Sequence, residues 1–390
     1  MSRREELDHK ILAYLFRHGH APRPELVAYT GIRAATVFES VDRLKSSGLL
    51  IEPARRGKKT GRKAPELECN PDIANWIGID LNTRKTTAVR TDNNGSILDR
   101  EEITASNRNS AEDVFTEIFS AVSLLKQRAG KSWFKVCGAG FSDPGPVDLE
   151  RGVSLNAVNI PGWNNIDTAS RITGETGVPC GVWAGEMVRA HMEYISRGKA
   201  SPARLVHICL GNTIGAGFVA DGRIYYGATG NEMEIGHLII QPDGPVCSCG
   251  NRGCLEAVAS IPALKKRFSE LLQSGQKSDI SEEDFSIEAL CAAKENDMAA
   301  KLLAEELASA VGKALIPVVT LLNPDMIILS GETAQLKDKL RIPILNMLKS
   351  NSLAGSADSL AIEFSFLSGD DTARGAALLM RDKTILSQMV

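Results

Sequence analysis

The feature that most constrains this 390-residue chain is one histidine followed by three closely spaced cysteines. His237 precedes Cys247, Cys249 and Cys254, so one nitrogen and three sulfur ligands fall within eighteen residues. Zn2+ prefers about four such ligands in a tetrahedron, and a site filled entirely by protein ligands is structural rather than catalytic. The spacing therefore predicts a structural zinc site, with ordinary buried thiols or a redox pair as the alternatives.

Two carboxylates, Glu234 and Glu256, flank this cysteine-rich loop on either side. Folding the loop around a metal would bring both toward one place. Carboxylates, together with an imidazole held by zinc, are suitable partners for the hydroxyl groups of a sugar. The loop therefore predicts a ligand pocket braced by a metal, whereas the alternative is that both acids are solvated loop charges.

Length and composition describe a globular chain of two or three domains, because 43% of the residues are hydrophobic and the net charge is only -3. No signal peptide is recognised, and no apolar run approaches the roughly twenty residues needed to span a membrane. Eight cysteines without a secretory context favour a reducing compartment. We therefore expect a cytoplasmic protein.

Charge is distributed unevenly along the chain, because residues 1–65 hold fourteen Lys or Arg against seven Asp or Glu. The same region shows apolar spacing typical of three helices, followed by two short strands joined by a basic, glycine-containing hairpin at residues 54–63. This order predicts a winged helix-turn-helix domain over residues 1–72, with duplex DNA as the partner. A plain three-helix subdomain with a solvated charged loop is the alternative.

In such a domain the third helix enters the major groove and the wing contacts the phosphate backbone. The predicted groove contacts are Arg33, Ala34, Thr36, Phe38 and Ser40. The predicted wing contacts are Arg55, Arg56, Lys58, Lys59 and Arg62.

After Pro71 the pattern changes to alternating strands and helices. A hairpin-bearing α/β unit occurs twice, with a turn at Asn93-Asn94-Gly95 in the first copy and at Asp221-Gly222 in the second. This repeat predicts a two-lobed, actin-like (ribonuclease H-like) α/β fold. We expect a small lobe at 73–185, joined by a C-terminal helix at 373–390, and a large lobe with the zinc-binding loop at 186–372.

From about residue 74 onward the chain resembles the ROK family of repressors, open reading frames and kinases. Several motifs line up in order along the chain. They are Asp143-Pro-Gly-Pro-Val-Asp148, Asn159-Ile-Pro-Gly-Trp163, the glycine-rich loop from Gly211 to Gly217, Glu234-Ile-Gly-His237, the knuckle from Cys247 to Glu256, and Asn323 to Gly331. With a winged helix in front, the whole chain is similar to ROK transcriptional regulators.

Two positions depart from the kinases of that family. The resemblance aligns their general base with Gly185 and the preceding asparagine with Ala184, so neither side chain needed for phosphoryl transfer is present. The first phosphate loop departs as well, because Asp80-Leu81-Asn82-Thr83-Arg84-Lys85 lacks the expected glycines. A displaced base at Asp143 or Glu186 is the alternative. The departures predict a kinase-like domain without catalytic residues, reused as a sensor.

The resemblance implies an effector that is a sugar or sugar derivative, held between the lobes by Asn159, Glu234, His237 and Glu256. We expect a homodimer or homotetramer whose operator binding, more often repression than activation, responds to that effector. A bifunctional regulator that keeps sugar kinase activity and a sugar-binding module with a vestigial basic domain are the other hypotheses. The basic wing argues against the second of these, and Gly185 argues against the first.

Overall fold

The computed structural model describes residues 3–53, 65–106, 108–157 and 160–387. The chain forms two compact units, of which the first comprises Met1–Ser201 with Leu367–Val390 and the second Pro202–Phe366. Within the described ranges, no helix is both long enough and apolar enough to cross a membrane. The predicted boundaries of the three functional domains stay a prediction.

The N-terminal region of the first unit is a helix-turn-helix with a small sheet. Its elements are α1 (Arg3–His18), β1 (His20–Pro22), α2 (Arg23–Thr30), α3 (Ala34–Ser46), β2 (Leu50–Ile51) and β3 (Glu66–Cys69). The strands lie in the order β1-β3-β2, and both outer strands run antiparallel to β3. The three helices and strands β2 and β3 match the predicted order. Strand β1 was not predicted, and the basic hairpin of residues 54–63 lies outside the described residues.

The helices of this region form because apolar residues recur on one face of each. A glycine with positive φ lies just beyond the end of each helix. Leu7, Ile11 and Leu15 of α1 are buried in the same cluster as Val37 and Val41 of α3. The turn between α2 and α3 has Gly31 in the left-handed conformation at φ 66°, where its N–H caps the helix by donating to the Val27 carbonyl. Because Val37, Val41 and Leu44 of α3 are buried, its opposite face is left to solvent.

The rest of the first unit is built on a five-stranded mixed sheet. Its elements are β4 (Asn75–Leu81), β5 (Lys85–Asp92), β6 (Ile97–Thr104), α4 (Ala111–Ala129), β7 (Val136–Asp143), β8 (Val147–Asp148), β9 (Val153–Asn156), β10 (Asn164–Ile166), α5 (Thr168–Thr176), β11 (Cys180–Ala184) and α6 (Gly185–Ser196). The order is β11-β7-β4-β5-β6, with β11, β7 and β4 parallel and the β4-β5-β6 meander antiparallel. The parallel strands therefore bring the ends of β7 and β11 to one edge.

The second unit repeats this plan. Its elements are β12 (Arg204–Leu210), β13 (Ile214–Ala220), β14 (Arg223–Ile224), α7 (Leu255–Ala259), α8 (Ile261–Gln273), α9 (Ile287–Ala292), α10 (Met298–Leu322), β15 (Met326–Ser330), α11 (Asp338–Asn351) and β16 (Ala361–Phe364). The sheet order β14-β13-β12-β15-β16 again joins an antiparallel meander to parallel strands. The repeat predicted from the two hairpins is therefore present.

The last helix, α12 (Gly369–Ser387), returns to the first unit and lies directly on its sheet. A Cβ added at Gly78 would lie 1.8 Å from the Ala373 carbonyl oxygen, and one at Gly140 would lie 1.9 Å from that of Ala376. These two glycines of β4 and β7 thus permit backbone contact with the helix. Toward its end α12 reaches the N-terminal region, where the Arg381 guanidinium stacks 3.9 Å from the centre of the Phe16 ring.

Candidate functional site

The histidine and three cysteines of the predicted zinc site converge in the second unit. One ligand atom from each of His237, Cys247, Cys249 and Cys254 lies within 4.8 Å of all the others. The Sγ atoms of Cys249 and Cys254 are 3.7 Å apart, and Cys247 Sγ lies 3.6 Å from His237 Nδ1. Zinc–sulfur and zinc–nitrogen bonds of about 2.0–2.3 Å place tetrahedral ligands at such separations. The donor set and its geometry fit a metal ion with four protein ligands.

The chain reaches this geometry through short backbone elements. His237 ends a single 3-10 turn, Ile235–His237, and Cys254 is the N-cap residue directly before α7. Between them the knuckle closes on itself, because the Cys247 N–H donates to the Asn251 carbonyl at 2.8 Å. Gly253 has a φ of 69°, and a Cβ there would lie 1.5 Å from the Gln241 carbonyl oxygen, so only glycine fits this close approach.

Of the predicted effector residues in the second unit, His237 belongs to this cluster, and Glu234 and Glu256 flank it in sequence. Glu234 Oε2 is 4.0 Å from His237 Nε2, and its side chain is 39% exposed. Glu256 is not a solvated loop charge, because its Oε2 accepts a hydrogen bond of 2.9 Å from the Ile214 N–H. That contact fixes the start of β13, directly after the glycine-rich turn. The fourth predicted residue, Asn159, lies outside the described residues.

In the first unit, position 185 is occupied by neighbours. Gly185 is the first residue of α6, and a Cβ added there would lie 3.0 Å from Arg189 Nη1 and 3.2 Å from the Asp143 carbonyl oxygen. Arg189 Nη1 donates to Glu186 Oε1 at 2.7 Å, and its Nη2 lies 3.9 Å from Asp80 Oδ1. An arginine therefore fills the space beside the position that aligns with the kinase base. The signal was available in the sequence, since Arg189 follows Gly185 by one helical turn.

The two carboxylates considered as displaced bases each have polar neighbours in this structure. Asp143 is fully buried, accepts from the Gly145 N–H at 2.9 Å and faces the Trp163 Nε1–H at 3.4 Å. Burial raises the pKa of Asp143 from its ordinary value to about 7. Glu186 holds the Arg189 guanidinium as described above. Both side chains thus support the local fold.

The segment that aligns with the first phosphate loop is also closed by its own side chain. Asn82 Oδ1 accepts from the N–H groups of Arg84 at 3.0 Å and of Lys85 at 3.1 Å. Kinase phosphate loops instead leave backbone N–H groups free to hold phosphate oxygens. Nearby, Ser142 Oγ donates to the buried Asp80, and burial raises the pKa of that carboxyl. The turn is therefore satisfied internally.

The predicted DNA-contacting residues of α3 divide into two sets. Arg33, directly before α3, and Ala34, Thr36 and Phe38 within it are exposed. Ser40 is buried instead, and its hydroxyl donates to Asp8 Oδ1 at 2.7 Å, so it does not belong to the exposed face. The wing residues Arg55, Arg56, Lys58, Lys59 and Arg62 lie outside the described residues.

Comparison with known proteins gives consistent matches over most of the chain. A protein named xylose repressor from Caldicellulosiruptor bescii is 25% identical over 378 residues, which cover 93% of this chain and 89% of that protein. A crystal structure described as a ROK family transcriptional regulator, homolog of the E. coli MLC protein, is 26% identical with a TM-score of 0.83, and covers 99% of this chain and 98% of its own. A ROK family glucokinase from Streptomyces griseus, solved in complex with glucose and AMPPNP, is 25% identical with a TM-score of 0.66, and covers 79% of this chain and 99% of its own. Residues 76–383 match the family described as ROK, and the chain belongs to that family.

Proposed function

We propose that this protein is a DNA-binding transcriptional regulator, in its usual mode a repressor, which a sugar or sugar derivative controls through a ROK domain without kinase activity. The observation that carries the proposal is the pair of Gly185 and Arg189. A general base must accept the proton of the attacking hydroxyl. Here the aligned residue has no side chain, and a guanidinium lies 3.0 Å from where its Cβ would be.

Similarity to regulators supports the DNA-binding part. The regulator of known structure matches 99% of this chain, including the helix-turn-helix region, whereas the glucokinase matches only 79%. The exposed residues at the start of α3, such as Arg33 directly before it and Phe38 in its first turns, are suited to the major groove. The full-length protein should bind duplex DNA from the upstream region of neighbouring operons, with a log affinity that falls by about 0.9 per phosphate contact against log salt. An affinity without sequence preference at any salt concentration would contradict the proposal.

Kinase activity is tested by incubating the protein with ATP, Mg2+ and a panel of hexoses while ADP is measured. We expect no hexose-dependent ADP release from the wild-type protein. The Gly185→Asp variant should stay inactive too, because the new carboxylate would pair with Arg189 rather than accept a proton. Gly174→Asp is the matched control, since a Cβ at this helical glycine meets open space.

A bifunctional regulator is the second candidate, and the similarity to a glucokinase solved with glucose and AMPPNP favours it. It predicts both operator binding and sugar phosphorylation by one protein. Formation of phosphorylated sugar above background would establish this candidate if it were lost in Asp143→Asn or Glu186→Gln. That result would overturn the proposal of a domain without kinase activity.

The metal centre is proposed to hold one structural Zn2+ on His237, Cys247, Cys249 and Cys254. Zinc would brace the loop that carries Glu234 at one end and Glu256 at the other. The purified protein should contain one zinc per chain by elemental analysis. Since thiolate ligands must stay reduced, a cytoplasmic location follows from the same proposal.

We further propose a homodimer or homotetramer, because paired winged helices are needed to read two half-sites about one helical turn apart. Light scattering on the full-length protein, with and without operator DNA, measures the assembly. A monomer under both conditions would contradict this part of the proposal.

A further inference from the structure

A buried carboxylate to which no described residue donates lies two residues before Glu234. Both carboxylate oxygens of Glu232 are buried, and neither has a hydrogen-bond partner among the described residues. The side chain folds against Gly227, where an added Cβ would lie 2.9 Å from Glu232 Oε2. Leaving a buried polar group without a partner is unfavourable, so native proteins rarely keep one unless a ligand or function uses it. The loop therefore holds an acceptor that no residue in the described ranges satisfies.

The next residue adds backbone strain at the same place. Met233 has a φ of 58°, in the left-handed region that favours glycine. A side chain in this region costs about 1–2 kcal/mol, and such strain is found most often at functional sites. The Met233 carbonyl accepts from the Ile235 N–H at 2.7 Å, so the strained turn leads directly into the 3-10 turn that ends at His237. The strained residue therefore lies directly between Glu232 and Glu234.

Two exposed tyrosines lie in the same loop. Tyr225 and Tyr226 are 51% and 42% exposed directly after β14, and the Tyr225 ring centre lies 6.1 Å from that of Phe218. Exposed aromatic rings next to converging polar groups are typical of ligand sites, where the ring faces an apolar surface of the ligand and the polar groups orient it. Residues 225–234 therefore combine an unsatisfied acceptor, a strained turn and open ring surface.

From these observations we infer that Glu232 is a specificity-determining residue of the effector site, in addition to the predicted contacts. This inference rests on the proposed sensor function. Its carboxylate would accept hydrogen bonds from donor groups of the sugar, either a pair of hydroxyls or an amino group. A phosphate ester carries negative charge and has acceptors where donors are needed, so the site disfavours it at this end of the effector.

The test uses the full-length protein and its Glu232→Gln and Glu232→Ala variants, with Glu282→Gln as a control in an exposed loop. Calorimetry and thermal unfolding are measured with glucose, xylose, glucosamine and glucose 6-phosphate as probes. We expect Glu232→Gln to weaken binding of the preferred probe about tenfold or more, yet to raise the melting temperature of the ligand-free protein by about 2–4 °C. These opposite changes distinguish a ligand-binding group from a structural one.

The probes also separate the two kinds of donor. If an amino group is the donor, wild type prefers glucosamine over glucose and Glu232→Gln loses that preference. If hydroxyls are the donors, both sugars weaken by the same factor. Binding by Glu232→Gln equal to wild type, or a lower melting temperature with unchanged affinity, would overturn the inference and leave the sensor function standing. If no probe binds to or stabilises the wild type, the sensor function fails as well.

Discussion

Gly185 in the first unit and the metal-ligand cluster in the second unit have different polar groups around them. Beside the cluster, Glu234 lies 4.0 Å from His237. Glu256 accepts a hydrogen bond from the Ile214 N–H, so two acidic side chains lie next to this loop. Gly185 itself offers no proton acceptor, and Arg189 Nη1 lies 3.0 Å from where its Cβ would be. The proposed recognition and the proposed loss of turnover involve different residues in different units. One set can therefore change while the other remains.

The largest expected effect tests the ordered loop of the second unit. Cys254→Ser removes a fully buried member of the metal cluster. Because structural zinc contributes about 10–16 kcal/mol of apparent binding free energy in small zinc domains, we expect loss of bound zinc and a large fall in melting temperature. Elemental analysis and thermal unfolding measure both. Cys137→Ala, an exposed cysteine outside the cluster, is the control and should change neither. A zinc-free Cys254→Ser protein with an unchanged melting temperature would show that the metal does not stabilise this loop.

The next effect concerns the neighbourhood of Gly185. Burial raises the pKa of Asp143 to about 7, above the ordinary value near 4, so the folded state binds this proton more tightly than the unfolded chain. The associated stability is fully present below about pH 4 and is lost as the pH rises through 7. Asp143→Asn cannot ionise and keeps an acceptor for the Gly145 N–H. Its free energy of unfolding relative to wild type should therefore rise with pH, by up to about 4 kcal/mol.

Chemical denaturation at several pH values between 4 and 8 measures this difference. Taking the difference between variant and wild type removes the contribution of His191, whose pKa burial lowers to about 4 and whose own pH dependence has the opposite sign. A difference that stays constant with pH would show that burial does not raise the pKa of the Asp143 carboxyl.

A smaller effect is expected at Glu256. Glu256→Ala leaves the Ile214 N–H without its acceptor, which costs about 1–3 kcal/mol if the amide stays buried. Glu256→Gln keeps an acceptor and should retain most of the stability while it changes sugar affinity. Denaturation and calorimetry on both variants separate the two roles. Equal stability of the alanine variant and wild type would mean that the hydrogen bond does not hold the start of β13.

The smallest expected effect separates the exposed and buried faces of α3. Arg33→Ala should weaken binding to operator DNA and reduce the slope of log affinity against log salt by about 1, without loss of stability. Ser40→Ala should leave the slope unchanged and destabilise the domain by about 1 kcal/mol, because Asp8 loses a buried donor. Binding titrations at several salt concentrations and thermal unfolding distinguish them. The reverse outcome would mean that Ser40, rather than Arg33, faces the DNA.

Several features of this protein were determined by the sequence alone. Helix and strand periodicity with glycine stops gave the order of the N-terminal region, since these signals are local to a few turns of chain. The spacing of His237 and the three cysteines gave the metal cluster, because a knuckle of eighteen residues has few ways to close. Gly185 predicts the absence of the kinase base, since a residue without a side chain accepts no proton in any fold.

Only the tertiary structure decided which side chains meet across long stretches of chain. The buried Ser40 hydroxyl donates to Asp8, 32 residues away in sequence, and the Ile214 N–H donates to Glu256, 42 residues away. Glycines of β4 and β7 serve contact with α12, nearly 300 residues later in the case of Gly78. The burial of Glu232 likewise depends on how its loop folds over Gly227. Periodicity and spacing report local geometry, whereas burial and the choice of partner depend on packing between distant segments.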